Sequence, residues 1–177
     1  MSTQDRLRWD ASYTKGDAER VCALPAVFGP VEDVFPRTGV ALDIACGTGG
    51  TAVWLARRGL RVNAVDVSAV AIARARRFAE QSAVSVDFDV VDLDDGLPPG
   101  EPVDVLLCHK FRDTALYGSM LARLKPAGLL AISVLSEVDA APGRFRAVAG
   151  ELRSAFGDLD VIDDGEGRGQ AWLVGRR

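Results

Sequence analysis

The chain has 177 residues, a length typical of one domain, and 48% of them are hydrophobic, which excludes a disordered or fibrous chain. Its formal net charge of −4 argues against a nucleic-acid partner, which needs clustered positive charge. A single histidine excludes a zinc site built on several histidines. The three cysteines (Cys22, Cys46 and Cys108) are too far apart to form a C-x-x-C pair, so we expect no metal.

The first ten residues lack the features of a targeting segment. They are polar and charged and contain no apolar core, so we expect no signal peptide. The longest apolar runs are far shorter than a membrane span. Cysteines without a spacing pattern are typical of a reducing compartment. We therefore expect a cytoplasmic protein that does not contact membranes.

Strand-like apolar runs alternate with helix-length amphipathic segments from residue 40 onward. The predicted strands are Val40–Ile44, Arg61–Asp66, Val84–Val91, Val103–Cys108, Leu129–Leu135, Leu159–Asp163 and Gln170–Arg176. The predicted helices are Thr51–Arg58, Ala69–Gln81 with Ser68 as its N-cap, Ala115–Leu124 and Phe145–Phe156. Such alternation indicates βαβ units and a parallel sheet, and the glycines between the last two strands suit a hairpin turn.

These elements predict an α/β fold with a doubly wound, Rossmann-like sheet of seven strands. The first five strands are expected to be parallel, and the last two to form an antiparallel hairpin. We expect residues 1–177 to form a single domain, with residues 38–177 as its core. Residues 1–37 place aromatic side chains and prolines among charges, and they predict a helical cap that packs across the strand ends.

A glycine-rich loop follows the first predicted strand and reads Asp43-Ile44-Ala45-Cys46-Gly47-Thr48-Gly49-Gly50. In a doubly wound sheet this crevice is the ligand site, and glycines let a ligand approach the backbone and the helix N-terminus. Residues 47–52 also fit the dinucleotide fingerprint G-x-G-x-x-[G/A]. Asp66 ends the second strand 19 residues after Gly47, where an acid binds ribose hydroxyls of NAD or of an adenosyl group.

Asp43 indicates which of these two cofactors the loop binds. A pyrophosphate in the loop would face a buried carboxylate, and two anions in a poorly solvated crevice repel each other. S-adenosylmethionine carries a sulfonium and an ammonium group and no phosphate, so an acid beneath the loop attracts it. The loop therefore favours S-adenosylmethionine. The alternative is that Asp43 only caps or stabilises the turn.

These segments resemble the motifs of the class I S-adenosylmethionine-dependent methyltransferases. Residues 40–50 resemble the family's D-x-G-x-G-x-G motif, with Ala45 at the first glycine position, which tightens the space near the cofactor's tail. Residues 62–68 and 90–94 resemble the acid and adenine motifs, and residues 124–130 resemble the turn into the fifth strand. The resemblance implies that the cofactor is bound by Asp43, Ala45, Cys46, Gly47, Gly49, Asp66, Val67, Asp92, Leu93 and Cys108.

The resemblance also implies individual roles. Asp66 would hold the ribose diol, Asp92 would accept from the adenine amino group, and Leu93 would cover the ring. The alternative for Asp92 is a solvated loop acid, because Asp94 and Asp95 are adjacent.

Methyl transfer mainly requires alignment of the acceptor with the methyl group, and a base only where the acceptor atom carries a proton. His109 ends the fourth predicted strand and is the candidate base; it could instead contact the cofactor or bond to backbone. Phe111, Arg112 and Arg144 are candidates for binding substrate, although Arg112 could pair with a surface acid. The segment 107–113 lacks the Asn/Asp-Pro-Pro-Tyr/Phe motif of nucleic-acid amino-methyltransferases.

Trp9 and Tyr13 lie four residues apart and share one face of a predicted helix. They form either a lid over the sulfonium, where aromatic faces favour a cation, or a hydrophobic staple on the core. Together with residues 143–156 they resemble the small tellurite-resistance methyltransferases and their thiopurine-methyltransferase-like relatives. That resemblance implies a small-molecule or chalcogen-oxyanion acceptor.

The sequence therefore predicts methyl transfer from S-adenosylmethionine to a small molecule, with S-adenosylhomocysteine as product. The alternatives are an NAD(P)-dependent oxidoreductase with the same glycine loop and a non-catalytic module that binds an adenosyl ligand. We expect no nucleic-acid or membrane partner, and a monomer or homodimer.

Overall fold

The structure is a computed structural model, and it describes residues 9–14 and 21–177. Strands in this part of the chain are β1 Val40–Ile44, β2 Arg61–Asp66, β3 Asp87–Val90, β4 Val103–His109, β5 Leu124–Ser136, β6 Arg146–Ala147, β7 Asp160–Gly167 and β8 Gln170–Arg176. Helices are α1 (residues 9–14), α2 Gly50–Arg57, α3 Ala69–Gln81, α4 Tyr117–Arg123 and α5 Glu151–Phe156. Short 3-10 helices cover Ala26–Val34, Leu93–Asp95 and Thr114–Leu116.

The sheet has the order β3-β2-β1-β4-β5-β8-β7, and the two-residue β6 pairs with the end of β5. β1 to β5 are parallel, whereas β8 runs antiparallel between β5 and β7. The predicted Rossmann-like sheet with a C-terminal antiparallel hairpin is therefore confirmed. The order reverses between β1 and β4, which opens a crevice at the carboxyl ends of these two strands.

The central strands are buried on both faces because helices cover both sides of the sheet. Neighbouring residues of β4 show this directly: Leu106 packs in one apolar cluster and Leu107 in the other, and both are fully buried. On β1, Ala41 and Leu42 divide between the same two clusters. Burial of one such side chain contributes about 1.5–3 kcal/mol, so the two clusters hold the strand ends that form the crevice in place.

Four predicted elements have the predicted bounds in the structure, namely β1, β2, α3 and β8. The predicted N-cap of α3 is also confirmed, since the Ser68 hydroxyl accepts from the Ala71 N–H at 3.1 Å. In the predicted N-terminal cap, residues 9–14 are helical and Ala26–Val34 is a 3-10 helix. Residues 1–8 and 15–20 of that cap lie outside the described residues.

The predicted helix over Phe145–Phe156 is wrong in its first half. Residues 146–147 form β6, and α5 begins only after Gly150, whose φ of 76° breaks a continuous helix. The Arg146 guanidinium donates to the Ser136 carbonyl at 2.6 Å and to the Gly169 carbonyl at 3.1 Å. Contacts with β5 and with the β7–β8 hairpin therefore override the helical pattern.

The turn expected within residues 124–130 lies inside the range of β5, where Ala127 has a left-handed φ of 63° and the pairing with β4 passes from Leu124 to Leu129 through an irregularity. The end of the chain pairs with this segment: the Ala127 N–H donates to the Arg177 carbonyl at 2.8 Å, and the Arg177 N–H donates to the Gly128 carbonyl at 3.0 Å. None of the described helices has the length and apolar composition that crossing a membrane requires.

Candidate functional site

A cavity of about 350 Å³ lies at the carboxyl ends of β1, β2 and β4, a size within the usual range for small-ligand sites. Its described lining comes from α1, the glycine loop after β1, and the segments that follow β2, β3 and β4. The lining residues are Trp9, Tyr13, Asp43, Ala45, Cys46, Gly47, Thr48, Thr51, Asp66, Val67, Val91, Leu93, His109, Lys110 and Phe111. The cavity thus occupies the crevice that the sheet topology opens.

Most residues predicted to bind the cofactor line this cavity. Gly49, Asp92 and Cys108 do not. Gly49 instead packs against α3 and β3, since a Cβ there would lie 2.8 Å from the Ala75 Cβ. Asp92 caps the short 3-10 helix by accepting from the Asp94 N–H at 3.1 Å, and the fully buried Cys108 thiol faces the Phe111 carbonyl at 3.3 Å.

The glycine loop is fastened to β2 by two backbone groups. The Cys46 N–H donates to the Val65 carbonyl at 3.0 Å, and the Gly47 N–H donates to Asp66 Oδ2 at 2.9 Å. Gly47 has a φ of 55°, in the left-handed region that glycine adopts readily. Ala45 also has a left-handed φ of 54°, which costs an alanine about 1 kcal/mol. The family pattern has glycine at this position, where the backbone requires that conformation.

Asp66 holds the turn between β2 and α3 as well as the glycine loop. Its Oδ1 accepts from the Ser68 N–H at 2.9 Å, so each carboxylate oxygen receives one backbone N–H. Burial raises the pKa of Asp66, and these N–H bonds oppose the rise. Because an ionised carboxylate has about four acceptor positions, two remain for ribose hydroxyls.

Asp43 is 2% exposed and lines the cavity, and its Oδ2 has no hydrogen-bond partner among the described residues. Burial raises its pKa to about 8, and the nearby Asp66 adds to the rise. A buried carboxylate oxygen without a partner is costly, and a cationic ligand removes that cost. The site therefore fits the ammonium and sulfonium groups of S-adenosylmethionine, because a nearby cation stabilises the ionised form of Asp43.

The helix α1 covers the glycine loop. The rings of Trp9 and Tyr13 stack with their centroids 6.2 Å apart, and both line the cavity. The Tyr13 hydroxyl lies 3.1 Å from the position that a Cβ on Gly47 would occupy. The Ser68 hydroxyl donates to Asp10 Oδ1, which ties α1 to the start of α3. Tyr13 therefore covers the loop, and Trp9 stacks on Tyr13 at the cavity.

The far side of the cavity is formed by the end of β4. His109 Nδ1 lies 2.6 Å from the Ser133 hydroxyl, and its ring packs edge-on against Phe28. Burial lowers the pKa of His109 to about 4, with a smaller contribution from the positive charge of the adjacent Lys110. The imidazole is therefore neutral at physiological pH. Lys110 lines the cavity too, and its N–H donates to the Ser133 carbonyl at 2.8 Å.

Of the three predicted substrate-binding residues, only Phe111 lines the cavity. Arg112 forms a two-bond ion pair with Glu151, with N–O distances of 2.7 and 2.6 Å, and the Tyr117 hydroxyl donates to the same carboxylate at 2.9 Å. In this structure Arg112 therefore pairs with an acid, which is the alternative to substrate binding given for it above. Arg144 lies outside the cavity lining and over the ring of Phe145, with the guanidinium 5.3 Å from the ring centroid.

Four lining residues were absent from the predicted set: Thr48, Thr51, Val91 and Lys110. Two of them lie within the glycine loop and the first turn of α2, and the others directly precede or follow predicted site residues. These residues could have been predicted by including every position of each motif in the site, and not only its acids and glycines. In the described part of the chain, no group of three or more His, Cys, Asp or Glu side chains is placed to hold a metal ion.

Solved structures share this fold. The chain superposes on TehB from Haemophilus influenzae with a TM-score of 0.76 at 16% identity, covering 96% of this chain and 67% of TehB. It superposes on the N-methyltransferase NodS from Bradyrhizobium japonicum WM9, solved with S-adenosyl-L-homocysteine, with a TM-score of 0.73 at 18% identity. That match covers 97% of each chain. At this level of identity the likeness shows the fold.

A family model described as a methyltransferase domain matches residues 41–128, about half of the chain. The chain belongs to the class I S-adenosylmethionine-dependent methyltransferases. The matched segment contains the glycine loop, Asp66 and the end of β4, so it supplies most of the described cavity lining of this methyltransferase-family protein.

This chain is also similar in sequence to a ubiquinone biosynthesis O-methyltransferase of Bradyrhizobium sp. (strain ORS 278). The two are 35% identical over 100 residues, which cover 54% of this chain and 39% of that relative. The chain thus spans about two-fifths of the length of that relative.

Proposed function

We propose that this protein transfers a methyl group from S-adenosylmethionine to a small-molecule acceptor by in-line displacement. The observation that carries this proposal is the buried Asp43 carboxylate with an unpartnered oxygen beneath the glycine loop. Such a group fits a cationic cofactor. The similarity to chains named as O- and N-methyltransferases supports the same reaction class.

Different residues around the cavity would bind different parts of that cofactor. Asp43 would face its positively charged tail, and Asp66 would accept from its ribose hydroxyls. The apolar side chains of Val67, Val91 and Leu93 would pack on the adenine ring, since they line the cavity beside β2 and β3. When bound, S-adenosylmethionine supplies a methyl group already activated by the sulfonium.

The protein's own contribution to the reaction would be alignment and exclusion of water. Trp9 and Tyr13 cover the glycine loop from one side, and Phe111 closes the β4 side. His109 is neutral near pH 7 and remains the candidate base. Because a base works best with a pKa near the working pH, its low pKa favours a hydrogen bond to the acceptor over complete proton removal.

A small acceptor is supported by the cavity volume of about 350 Å³, which lies near the lower end of the range for ligand sites. The net charge of −4 supports the absence of a nucleic-acid partner. We further propose a cytoplasmic location and a monomer or homodimer. The likeness to small tellurite-resistance and thiopurine-type methyltransferases stays a proposal that rests on residues 9–13 and 143–156.

Binding of S-adenosylhomocysteine tests the cofactor proposal against the oxidoreductase alternative. At about one hundred times its dissociation constant, a ligand of the folded state stabilises a protein by about 2.7 kcal/mol, which raises the melting temperature by several degrees. We expect that rise with S-adenosylhomocysteine and no rise with NAD or NADP. Stabilisation by a nicotinamide nucleotide alone would show that Asp43 has been misinterpreted.

Turnover tests the enzyme proposal against a non-catalytic binding module. Release of S-adenosylhomocysteine would be followed with a panel of phenols, thiols, amines and oxyanions as acceptors. We expect at least one acceptor to be methylated, and His109→Ala to lower turnover while cofactor affinity stays within about twofold. Tight cofactor binding with no acceptor consumed would favour the module.

A further inference from the structure

The two ends of the cavity carry opposite charge. The strand order places β2 on one side of β1 and β4 on the other, so the segments after β2 and β4 flank the glycine loop from opposite directions. The acid Asp66 lines the cavity on the β2 side, and the base Lys110 lines it on the β4 side. Among the described lining residues, Lys110 is the single lysine or arginine.

The backbone of Lys110 is held in an unusual conformation. Its φ is 59°, in the left-handed region where side chains other than glycine are uncommon, and its N–H is fixed by the bond to Ser133. Residues held in this region at a cavity are typical of functional sites. This conformation places a lysine between His109 and Phe111, and all three residues line the cavity.

Two other basic side chains, Arg112 and Arg144, do not line the cavity. Arg112 is paired with Glu151 by two short bonds, and Arg144 lies on the surface outside the cavity. No ion pair involving Lys110 exists among the described residues, whereas Lys125 pairs with Asp104 at 2.8 Å. Within residues 9–14 and 21–177, Lys110 is therefore the cationic side chain available to a ligand at the β4 side.

We propose that the methyl acceptor is a small organic anion whose charged group binds the ammonium of Lys110. This inference rests on the proposed function, since it assigns the acceptor class for that same site. A charge-assisted hydrogen bond to a carboxylate is about twice as strong as a neutral one. Phe111 supplies an apolar wall for the body of the acceptor, and the neutral His109 beside it adds no competing charge.

A matched pair of probes tests this assignment. Protein saturated with S-adenosylhomocysteine is titrated by calorimetry with 3,4-dihydroxybenzoate and with 3,4-dihydroxybenzamide, which differ in charge and hardly in shape. We expect the wild type to bind the acid at least about fivefold more tightly than the amide. Lys110→Met should reduce this preference to less than about twofold, and Lys110→Arg should retain it.

Two control variants complete the experiment. Lys125→Met removes a lysine at the amino end of β5, and Arg144→Met removes an exposed arginine outside the cavity lining; both should keep the preference for the acid. Equal binding of the two probes to the wild type, or a preference that persists in Lys110→Met, would overturn the inference. Failure of S-adenosylhomocysteine to bind the wild type would instead overturn the proposed function, so the two failures are distinguishable.

Discussion

The two sides of the cavity are built by different means. On the side proposed to bind the cofactor, formed by the glycine loop and Asp66 (the cofactor side), backbone N–H groups of Gly47 and Ser68 hold the Asp66 carboxylate, and the loop geometry depends on left-handed glycines. On the side proposed to bind the acceptor, formed by residues 109–112 (the acceptor side), side chains hold each other: His109 contacts Ser133, and Arg112 pairs with Glu151. A backbone-built site tolerates few substitutions. A side-chain-built site can be changed residue by residue, which suits the part of a methyltransferase that recognises its acceptor.

The largest effect is expected on the cofactor side, from Asp66→Ala. The substitution removes the acceptor of two backbone N–H groups and of the proposed ribose contact, so we expect S-adenosylhomocysteine affinity to fall about 100-fold. Calorimetry measures the loss, and Asp95→Ala, an exposed acid in the loop after β3, is the matched control. A loss below about threefold would show that the cofactor side does not depend on Asp66.

Gly49→Ala should produce the next largest effect, on stability. A Cβ at this position would lie 2.8 Å from the Ala75 Cβ and 3.1 Å from Phe88, and the φ of 81° disfavours alanine. We expect the free energy of unfolding to fall by about 2 kcal/mol in urea denaturation. Gly118→Ala in α4 meets no atom within 4 Å and should leave stability unchanged or raise it by up to about 1 kcal/mol. Equal effects of the two variants would contradict the packing role of Gly49.

The pH dependence of cofactor binding should separate the two sides further. Because the pKa of Asp43 is raised to about 8, the ligand-free protein holds this carboxyl protonated at neutral pH, and binding of a ligand's ammonium group beside it favours release of the proton. Affinity for S-adenosylhomocysteine should therefore rise between about pH 6 and pH 8, by up to about tenfold per pH unit. Calorimetry in buffers of different ionisation enthalpy also measures the proton release.

The raised pKa of Asp43 makes the free energy of unfolding fall with rising pH, whereas it makes cofactor affinity rise. The folded state binds the Asp43 proton more tightly than the unfolded state, so this contribution to stability is fully present below the unfolded pKa of 3.8. It is lost as the pH rises through about 8. Asp43→Asn should flatten both pH profiles. A variant that keeps the wild-type dependence of affinity would assign the titration to another group.

The smallest effect is expected from Glu151→Gln on the acceptor side. The substitution breaks the partly buried ion pair with Arg112, and we expect the free energy of unfolding to fall by about 1 kcal/mol. Affinity for S-adenosylhomocysteine should stay within about twofold, because Glu151 does not line the cavity. Glu101→Gln, which changes an exposed acid, is the control. A large loss of cofactor affinity in Glu151→Gln would show that the two sides are coupled.

The sequence could predict the elements whose signals are local. Helix α3 has an apolar period with a serine cap, and β1 and β2 are short apolar runs bounded by glycine or acid, so their bounds follow from neighbouring residues. The cofactor side shares this property, because the acids and glycines of the motif lie within a few residues of the strands that carry them.

The regions that depend on distant pairing could not be predicted in the same way. Residues 146–147 become β6 because they pair with Leu135 and Ser136, and the bonds of residues 127–128 to the chain end likewise join distant parts of the sequence. The partner of Arg112 is an acid 39 residues away, which no local pattern indicates. Lys110 follows His109 directly, yet its place in the cavity depends on the left-handed turn at the end of β4.

Ser133 connects two groups on the acceptor side, since its hydroxyl meets His109 and its carbonyl receives the Lys110 N–H. The His109 imidazole and the Lys110 backbone are therefore both held by one fully buried residue of the central sheet. An engineer who wishes to redirect this protein to a different acceptor should leave Ser133 untouched and vary position 110. The side chain there can be exchanged while its backbone anchor, and the histidine next to it, keep their places.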